Sequence, residues 1–264
     1  MKKNLKEALK NNPITRTVIY FIKLLTSYIQ YPFLRHSKDL SAYKNKHKGE
    51  RCFVVATGPS LTMDDLTLLK GEVTFSMNSI IKSFDKTDWR PTYYVITDKV
   101  PYAACKDLID EKDFEQIFFR TGLDQKNKSI CHFSVNTVNV YHASMLDDYN
   151  GKIYPSKKPD RYFNDGPSVV FSIIQLADYM GFSEIYLLGQ DCNFEGASHS
   201  DVAKLTYKVA PKVKDGLRIL SAFDSYQQYY KNTDLRIFNA TRGGKLESFQ
   251  RVELKKITSN KENV

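Results

Sequence analysis

The chain has little of what marks most small ligand-binding modules. Its four cysteines, Cys52, Cys105, Cys131 and Cys192, form no CxxC pair and keep no Cys/His metal spacing. That excludes a disulfide scaffold and a zinc module and leaves reduced thiols in a cytosolic protein. Twelve glycines and nine prolines are too few for a collagen-like or low-complexity chain, and a 42% hydrophobic composition excludes wholesale disorder. There is no P-loop, no third glycine of a dinucleotide fingerprint, and no Asp-x-Asp pair at a strand end to clamp a metal-bound diphosphate. No apolar run reaches the roughly 18 uninterrupted residues of a membrane span. What remains, at 264 residues, is one large folded domain or one domain with an appendage.

The net charge of +9 is unevenly placed. Residues 1–48 carry 11 Lys/Arg and 2 Asp/Glu, whereas residues 49–264 carry 28 of each sign. A nucleic-acid-binding domain needs a basic face of its own, so this distribution argues against nucleic acid as a partner. Within the arm, Val18, Phe21, Ile22, Leu25 and Ile29 recur at helical spacing, and Lys23, Thr26, Ser27 and Gln30 occupy the other side. Arg16 and Lys23 interrupt the run and Pro32 ends it. The pattern predicts an amphipathic helix within residues 13–35, flanked by cations and suited to an anionic membrane surface. Packing on the domain or on a second subunit of a homo-oligomer is the other use of such a face. No small-residue cleavage site follows the apolar run, so the expectation is a cytoplasmic protein, peripheral on the inner face of the membrane.

From residue 49 onward, short β-branched or aromatic runs alternate with helical patterns. Strands are expected at Cys52–Thr57, Val73–Met77, Thr92–Thr97, Gln116–Arg120, Val135–Tyr141, Glu184–Leu188 and Leu235–Asn239. Helices are expected at Thr62–Leu69, Tyr102–Asp110, Ser168–Met180 and Leu217–Lys231. Such alternation predicts an α/β fold, a largely parallel sheet with helices on both faces, in a domain spanning 49–264. Lys152–Asp165 and Glu195–Gly216 show no period and read as long loops.

Ligands of open α/β sheets bind beyond the carboxyl ends of the strands, which directs attention to the residues there. Gly58-Pro59-Ser60 follows the first strand; glycine allows close approach of the backbone, and Ser60 or Thr62 can cap a helix whose N-terminus favours an anion. Asn78 ends the second strand and can bond a base or ribose, or cap a turn. Asp98 ends the third and can orient a hydroxyl or cap the next helix. Asn164-Asp165-Gly166-Pro167-Ser168 opens a strongly apolar helix. Gly189, Asp191 and Asn193 follow a further strand, with His199 beyond them, and Thr241 and Arg242 follow the last. His132 and His142 fall in or beside strands and read as structural, whereas His199 falls in a loop with a side chain able to move protons near neutrality.

The order of VVATGPSL, MNS, NDGPSVVFSIIQLADYMGFSEIYLLGQD and NTDLRIFNATRGG resembles the bacterial CMP-sialic acid sialyltransferases. It resembles equally the superfamily that holds motility-associated flagellin glycosyltransferases and hydroxymethylpterin diphosphokinase-like proteins. The likeness covers about residues 50–245. It implies a GT-A-like, Rossmann-like domain that transfers a sugar from a nucleotide donor without a metal. Gly58, Pro59, Ser60 and Asn78 would then approach the nucleotide, Ser168 the donor sugar, and Gly189 and Asp191 the nucleotide pocket. The sialyltransferases carry a phosphate-holding tyrosine just after this Asp and a general-base histidine further on. Here Asn193 stands in place of the tyrosine, and His199 lies closer to Asp191 than the pattern has it, with Tyr207 and Lys204 as other phosphate ligands.

Sugar transfer needs a base for the incoming hydroxyl and stabilisation of the departing phosphate. The resulting expectation is a glycosyltransferase with a CMP-linked nonulosonate donor, no metal cofactor, His199 as base and a cell-surface glycan as acceptor. The rival expectations are an ATP-dependent pterin-type diphosphokinase, which needs Mg²⁺ and more carboxylates, and a non-catalytic membrane adaptor.

Overall fold

A computed structural model of the chain describes Val18 and residues 40–110, 113–120, 123, 131–133, 135–136, 153–157, 159, 162–164, 166–193, 202 and 213–259. Strands β1 (Arg51–Val55), β2 (Thr74–Met77), β3 (Tyr93–Ile96), β4 (Gln116–Arg120) and β5 (Cys131–Phe133) are followed by the short strands β6 (Val135–Asn136) and β7 (Phe163–Asn164). Strands β8 (Glu184–Leu188), β9 (Arg236–Asn239) and β10 (Gln250–Arg251) complete the set. The helices are α1 (Met63–Leu68), α2 (Lys99–Cys105), α3 (Val170–Tyr179), α4 (Val213–Tyr230) and α5 (Leu254–Ser259).

Among the described residues one eight-stranded sheet runs in the order β10-β9-β8-β1-β2-β3-β4-β5, with every pairing parallel. β6 and β7 form a separate parallel pair. The expected α/β architecture is therefore present. β2, β3 and most of β1 and β8 are buried, because helices cover both faces, and this is why these strands read as continuous apolar runs rather than alternating ones. On one face Cys52, Val54, Ile185 and Leu187 pack with α3 and α4, where Phe171 meets Phe223 and Tyr226 at ring separations of 4.6 and 4.9 Å. On the other, Phe53, Val55, Tyr94 and Leu188 meet Leu66 of α1, Cys105 of α2 and Leu254 of α5.

Local chemistry sets the element ends. Thr62 and Asp65 close a capping box at the head of α1. α3 ends where Gly181 adopts φ +84°, its N–H bonding Asp178 O and the Phe182 N–H bonding Ala177 O. That pairing satisfies the last carbonyls and needs a residue without a Cβ. Within α3, the buried Gln175 accepts from the backbone N–H groups of Ser156 and Asn164 and donates to the carbonyls of Asn164 and Phe171. It thereby ties two incoming segments to the core.

Several boundaries differ from the sequence expectation. Residues 40–48, assigned to the arm, pack along the amino edge of the sheet: Leu40 and His47 are buried, His47 bonds Tyr93, and Tyr43 bonds Gln116. Residues 40–48 thus pack with the sheet, held by aromatic contacts despite the local excess of lysine. The helix expected at Tyr102–Asp110 begins at Lys99 and closes as a 3-10 turn over Lys106–Leu108. α4 starts at Val213, inside a stretch read as loop, and β7 falls inside Lys152–Asp165. β5, β10 and α5 were not anticipated, being short elements with weak periodicity. Of the strand expected at Val135–Tyr141 only Val135–Asn136 is described, and apart from Val18 the 13–35 segment lies outside the described residues. Among the described residues no helix is long and apolar enough to cross a membrane.

Replacing Gln175 by Leu removes the side-chain acceptor of the Ser156 and Asn164 N–H groups and the side-chain donor to the Asn164 and Phe171 carbonyls, and a hydrogen bond lost from a buried group costs about 1–3 kcal/mol. A loss of about 3 kcal/mol in urea-unfolding free energy is expected. A change under about 0.5 kcal/mol would remove Gln175 from the stabilising framework.

Candidate active site

The chain order reverses between β1 and β8: strands leave β1 toward β5 on one side, and return through β8 toward β10 on the other. Such a switch point opens a crevice at the carboxyl ends of the two central strands. Here Gly58–Ser60 after β1 and Gly189–Asp191 after β8 stand at that position. Ala56 N–H bonds Leu188 O at 2.8 Å and Gly58 N–H bonds Gly189 O at 2.9 Å, so the two chains stay paired past the strand ends. A Cβ on Gly58 would fall 2.1 Å from Asp191 Oδ2 and 2.4 Å from Gly189 O. Only glycine fits.

Asp191 is the buried carboxylate of the crevice. It accepts from the Ser60 hydroxyl at 2.9 Å and from the Ser60 N–H at 3.2 Å, while its own carbonyl accepts from Lys245 N–H at 2.7 Å. Burial lifts its carboxyl above the usual range, and the Ser60 hydrogen bonds and the Arg242 charge oppose that shift without cancelling it. Gly244, at φ +74°, lies so close to Asp191 that a Cβ would stand 2.5 Å from the Asp191 carbonyl oxygen.

Arg242 is already engaged within the chain, although its side chain stays partly exposed. Its guanidinium holds both oxygens of Asp65, at 2.6 and 2.7 Å, and its Nη2 also donates to Ser60 O at 2.8 Å. Asp65 is almost wholly buried. Burial acts to raise its carboxyl, but the hydrogen bonds from Arg242 and Thr62 outweigh it and hold the group below the ordinary range. Removing the arginine would strand a buried charge, so Arg242 is fixed in place as a brace between α1 and the 58–60 loop. Thr241 is likewise structural: it is buried, and its hydroxyl takes the Gln190 N–H at 3.0 Å and bonds Leu187 O at 3.4 Å.

Asn78 stands one strand from the switch point, at the end of β2, with φ +50°. Its carbonyl accepts from the Tyr94 hydroxyl, which fixes the left-handed turn. Its side-chain Oδ1 is buried and, among the described residues, has no hydrogen-bond partner. Asp98 is a strand further out, exposed, and makes no cap bond to α2; enough protein surrounds its carboxyl for desolvation to raise it, with Arg120 opposing. Ser168 lies at the head of α3, which runs back toward the start of β8 and so begins at the carboxyl edge; its Oγ accepts from Val170 N–H at 3.4 Å. Pro59 is exposed and Asn193 half-buried. His199, Lys204, Tyr207 and His142 lie outside the described residues, and of His132 only its place in β5 is described.

The structure therefore brings together Gly58, Ser60, Gly189, Asp191, Thr241 and Arg242, with Asn78 beside them, and leaves Asp98 at a distance of two strands. Sequence reasoning missed Asp65. The signal was present as Thr62-x-x-Asp65, a capping box, but nothing in the sequence tells that its carboxylate also receives an arginine 177 residues away.

The fold is that of a doubly wound parallel α/β protein whose strand order reverses between β1 and β8. More narrowly, the chain belongs to the MptE-like family, described as 6-hydroxymethylpterin diphosphokinase MptE-like, whose model matches residues 26–197. Its fold is similar to that in the structure of a Maf glycosyltransferase from Magnetospirillum magneticum AMB-1, at a TM-score of 0.55 and 15% identity over 83% of this chain. The chain spans 37% of the length of that protein. Among curated proteins no match is found.

Because Asp65 has a depressed pKa, its contribution to stability is full above its unfolded value and fades as pH falls through the folded one. Arg242→Met should cost about 2–3 kcal/mol at pH 7, discounted for the half-exposed arginine, and progressively less toward pH 3. Adding Asp65→Asn should recover part of the loss. Urea titrations across pH check this, and a loss independent of pH would show that the ion pair is not its source.

Proposed function

We propose that this chain is a glycosyltransferase that takes its sugar from a CMP-linked donor, a nonulosonate such as sialic acid, and passes it to a surface-glycan acceptor. The observation that carries the reading is the Oδ1 of Asn78, buried and unpaired among the described residues, one strand from the β1/β8 switch point. An orphan acceptor in that place costs stability unless a ligand donor fills it, and the exocyclic amine of cytosine is such a donor. The fold shared with the Maf glycosyltransferase supports sugar transfer, and the crevice position supports a nucleotide.

In this reaction the acceptor hydroxyl gives its proton to His199 as its oxygen attacks the anomeric carbon. The bond to the CMP phosphate breaks, and that oxygen leaves with the electron pair. The 58–60 backbone lines the approach of the phosphate, beside Asp191, whose carboxyl is shifted by burial above its usual range. The reading needs no metal. It places the 13–35 segment on an anionic leaflet where lipid-presented glycans are met, on the cytoplasmic side, and leaves room for a homo-oligomer.

The family description favours a second reading, transfer of diphosphate from ATP to a pterin alcohol. Calorimetry of the full chain with CMP, CDP, UDP, GDP and ATP, each with and without EDTA, separates the two. Selective CMP binding that survives EDTA, weakened about tenfold in Asn78→Ala, is the expected result. Binding of ATP alone, abolished by EDTA, would replace sugar transfer with diphosphate transfer. With a donor in hand, His199→Ala should abolish turnover and leave donor affinity within about twofold.

A further inference from the structure

A second concave feature lies outside the crevice. A cavity of about 790 Å³ opens between the 240–243 turn, the residues after β10 and helix α5, with Asp65 of α1 in its wall. Small-molecule sites occupy roughly 300–1,000 Å³. The cavity is aliphatic at its base, where Ala240 and Leu254 are buried and Val252 and Ile257 half-buried. Among the described residues no aromatic ring lines it, and these offer a nucleobase nothing to stack on.

Its charge is unbalanced. Four cations, Arg242, Arg251, Lys255 and Lys256, line it against two carboxylates, Asp65 and Glu253. Asp65 is neutralised by Arg242 and Glu253 by Lys256, while Arg251 is held by Glu247 and by loop carbonyls. Among the described residues Lys255 makes no ion pair, and the Arg242 side chain is 56% exposed despite its hold on Asp65. An aliphatic base under a positive rim fits a ligand with an anionic head and an apolar chain.

The cavity and the crevice share Arg242. Its Nη2 lies 2.8 Å from the carbonyl of Ser60, whose hydroxyl lies 2.9 Å from Asp191. A head group at the rim would thus sit one residue away from the crevice wall. We propose that this cavity binds the second substrate by a phosphate head at Lys255 and the exposed edge of Arg242, with an aliphatic chain along Ala240, Val252 and Ile257. Calling the ligand a substrate rests on the transferase reading; its binding rests on the cavity alone.

The test is photolabelling of the full chain with a diazirine-bearing decyl phosphate, below its micelle concentration, followed by peptide mapping. Label is expected on peptides spanning 240–257. Unlabelled decyl phosphate should displace it, and decanol or inorganic phosphate at the same concentration should not. Lys255→Glu, at an exposed position, should lower labelling about tenfold with an unchanged urea midpoint. Val252→Asp, which puts a carboxylate in the path of the chain, should lower it as well. Label confined to the 13–35 segment, equal labelling of Lys255→Glu, or displacement by decanol as strong as by the phosphate would each overturn the proposal. No donor is present in this experiment, so its outcome and that of the nucleotide titration stand apart.

Discussion

The contact between Asp191 and Ser60 is the constraint around which the carboxyl edge of the sheet is organised. β1 and β8 are adjacent parallel strands, and the residues that follow them must separate to feed different elements. They remain joined through Gly58 and Gly189, and a single carboxylate then takes both the amide and the hydroxyl of Ser60. With its donors directed at Asp191, Ser60 turns its carbonyl toward Arg242. Arg242 in turn meets Asp65, which already closes the capping box of α1 through Thr62. Five residues from three separate stretches of sequence are thereby locked in one hydrogen-bonded row. Residues in such a row are coupled, so the stability effect of changing two of them will not be the sum of the single effects.

This arrangement alters what the glycine loop can offer an anion. A short loop leading into a helix presents amide donors, which is the usual basis for phosphate binding there. Here the Ser60 amide faces an internal carboxylate, and the head of α1 is filled by its own Asp65. An incoming phosphate therefore competes with Asp191 for the same donors. Burial raises the Asp191 carboxyl, which lowers the free energy of neutralising it and weakens it as a competitor. The carboxylate that joins the two loops is thus also the group whose protonation would weaken its hold on the Ser60 donors.

The sheet was legible because its central strands are buried on both faces and read as unbroken apolar runs between turn residues. Glu184–Leu188 and Gln116–Arg120 match their expected bounds for that reason. β10 and α5, of two and six residues, carry too little periodicity to announce themselves, and they form part of the wall of the cavity beside Arg242. The site was legible as a set of strand ends but not as a set of contacts. Thr241 and Arg242 looked like ligand groups because they follow a strand. Their partners, Gln190, Asp65 and Ser60, lie 51 to 182 residues away, and only the fold brings them together. Asn78 was legible in place and type, whereas its unpaired Oδ1 is a property of packing alone.

The strap at residues 40–49 sets the relation between the crevice and the chain that precedes it. Its anchors, Gln116, Tyr93 and the Met180–Phe182 turn, all lie at the amino ends of strands or in the turn leading into β8. The crevice and the cavity at Arg242 lie at the carboxyl ends. The root of the basic arm and the proposed substrate sites therefore stand at opposite edges of a sheet whose five-residue strands measure about 17 Å. An arm that held this body to a membrane directly at its root would turn the crevice away from the lipid. A molecule that reaches the crevice or the cavity must therefore approach the carboxyl edge of the sheet, the side away from Leu40 and the strap.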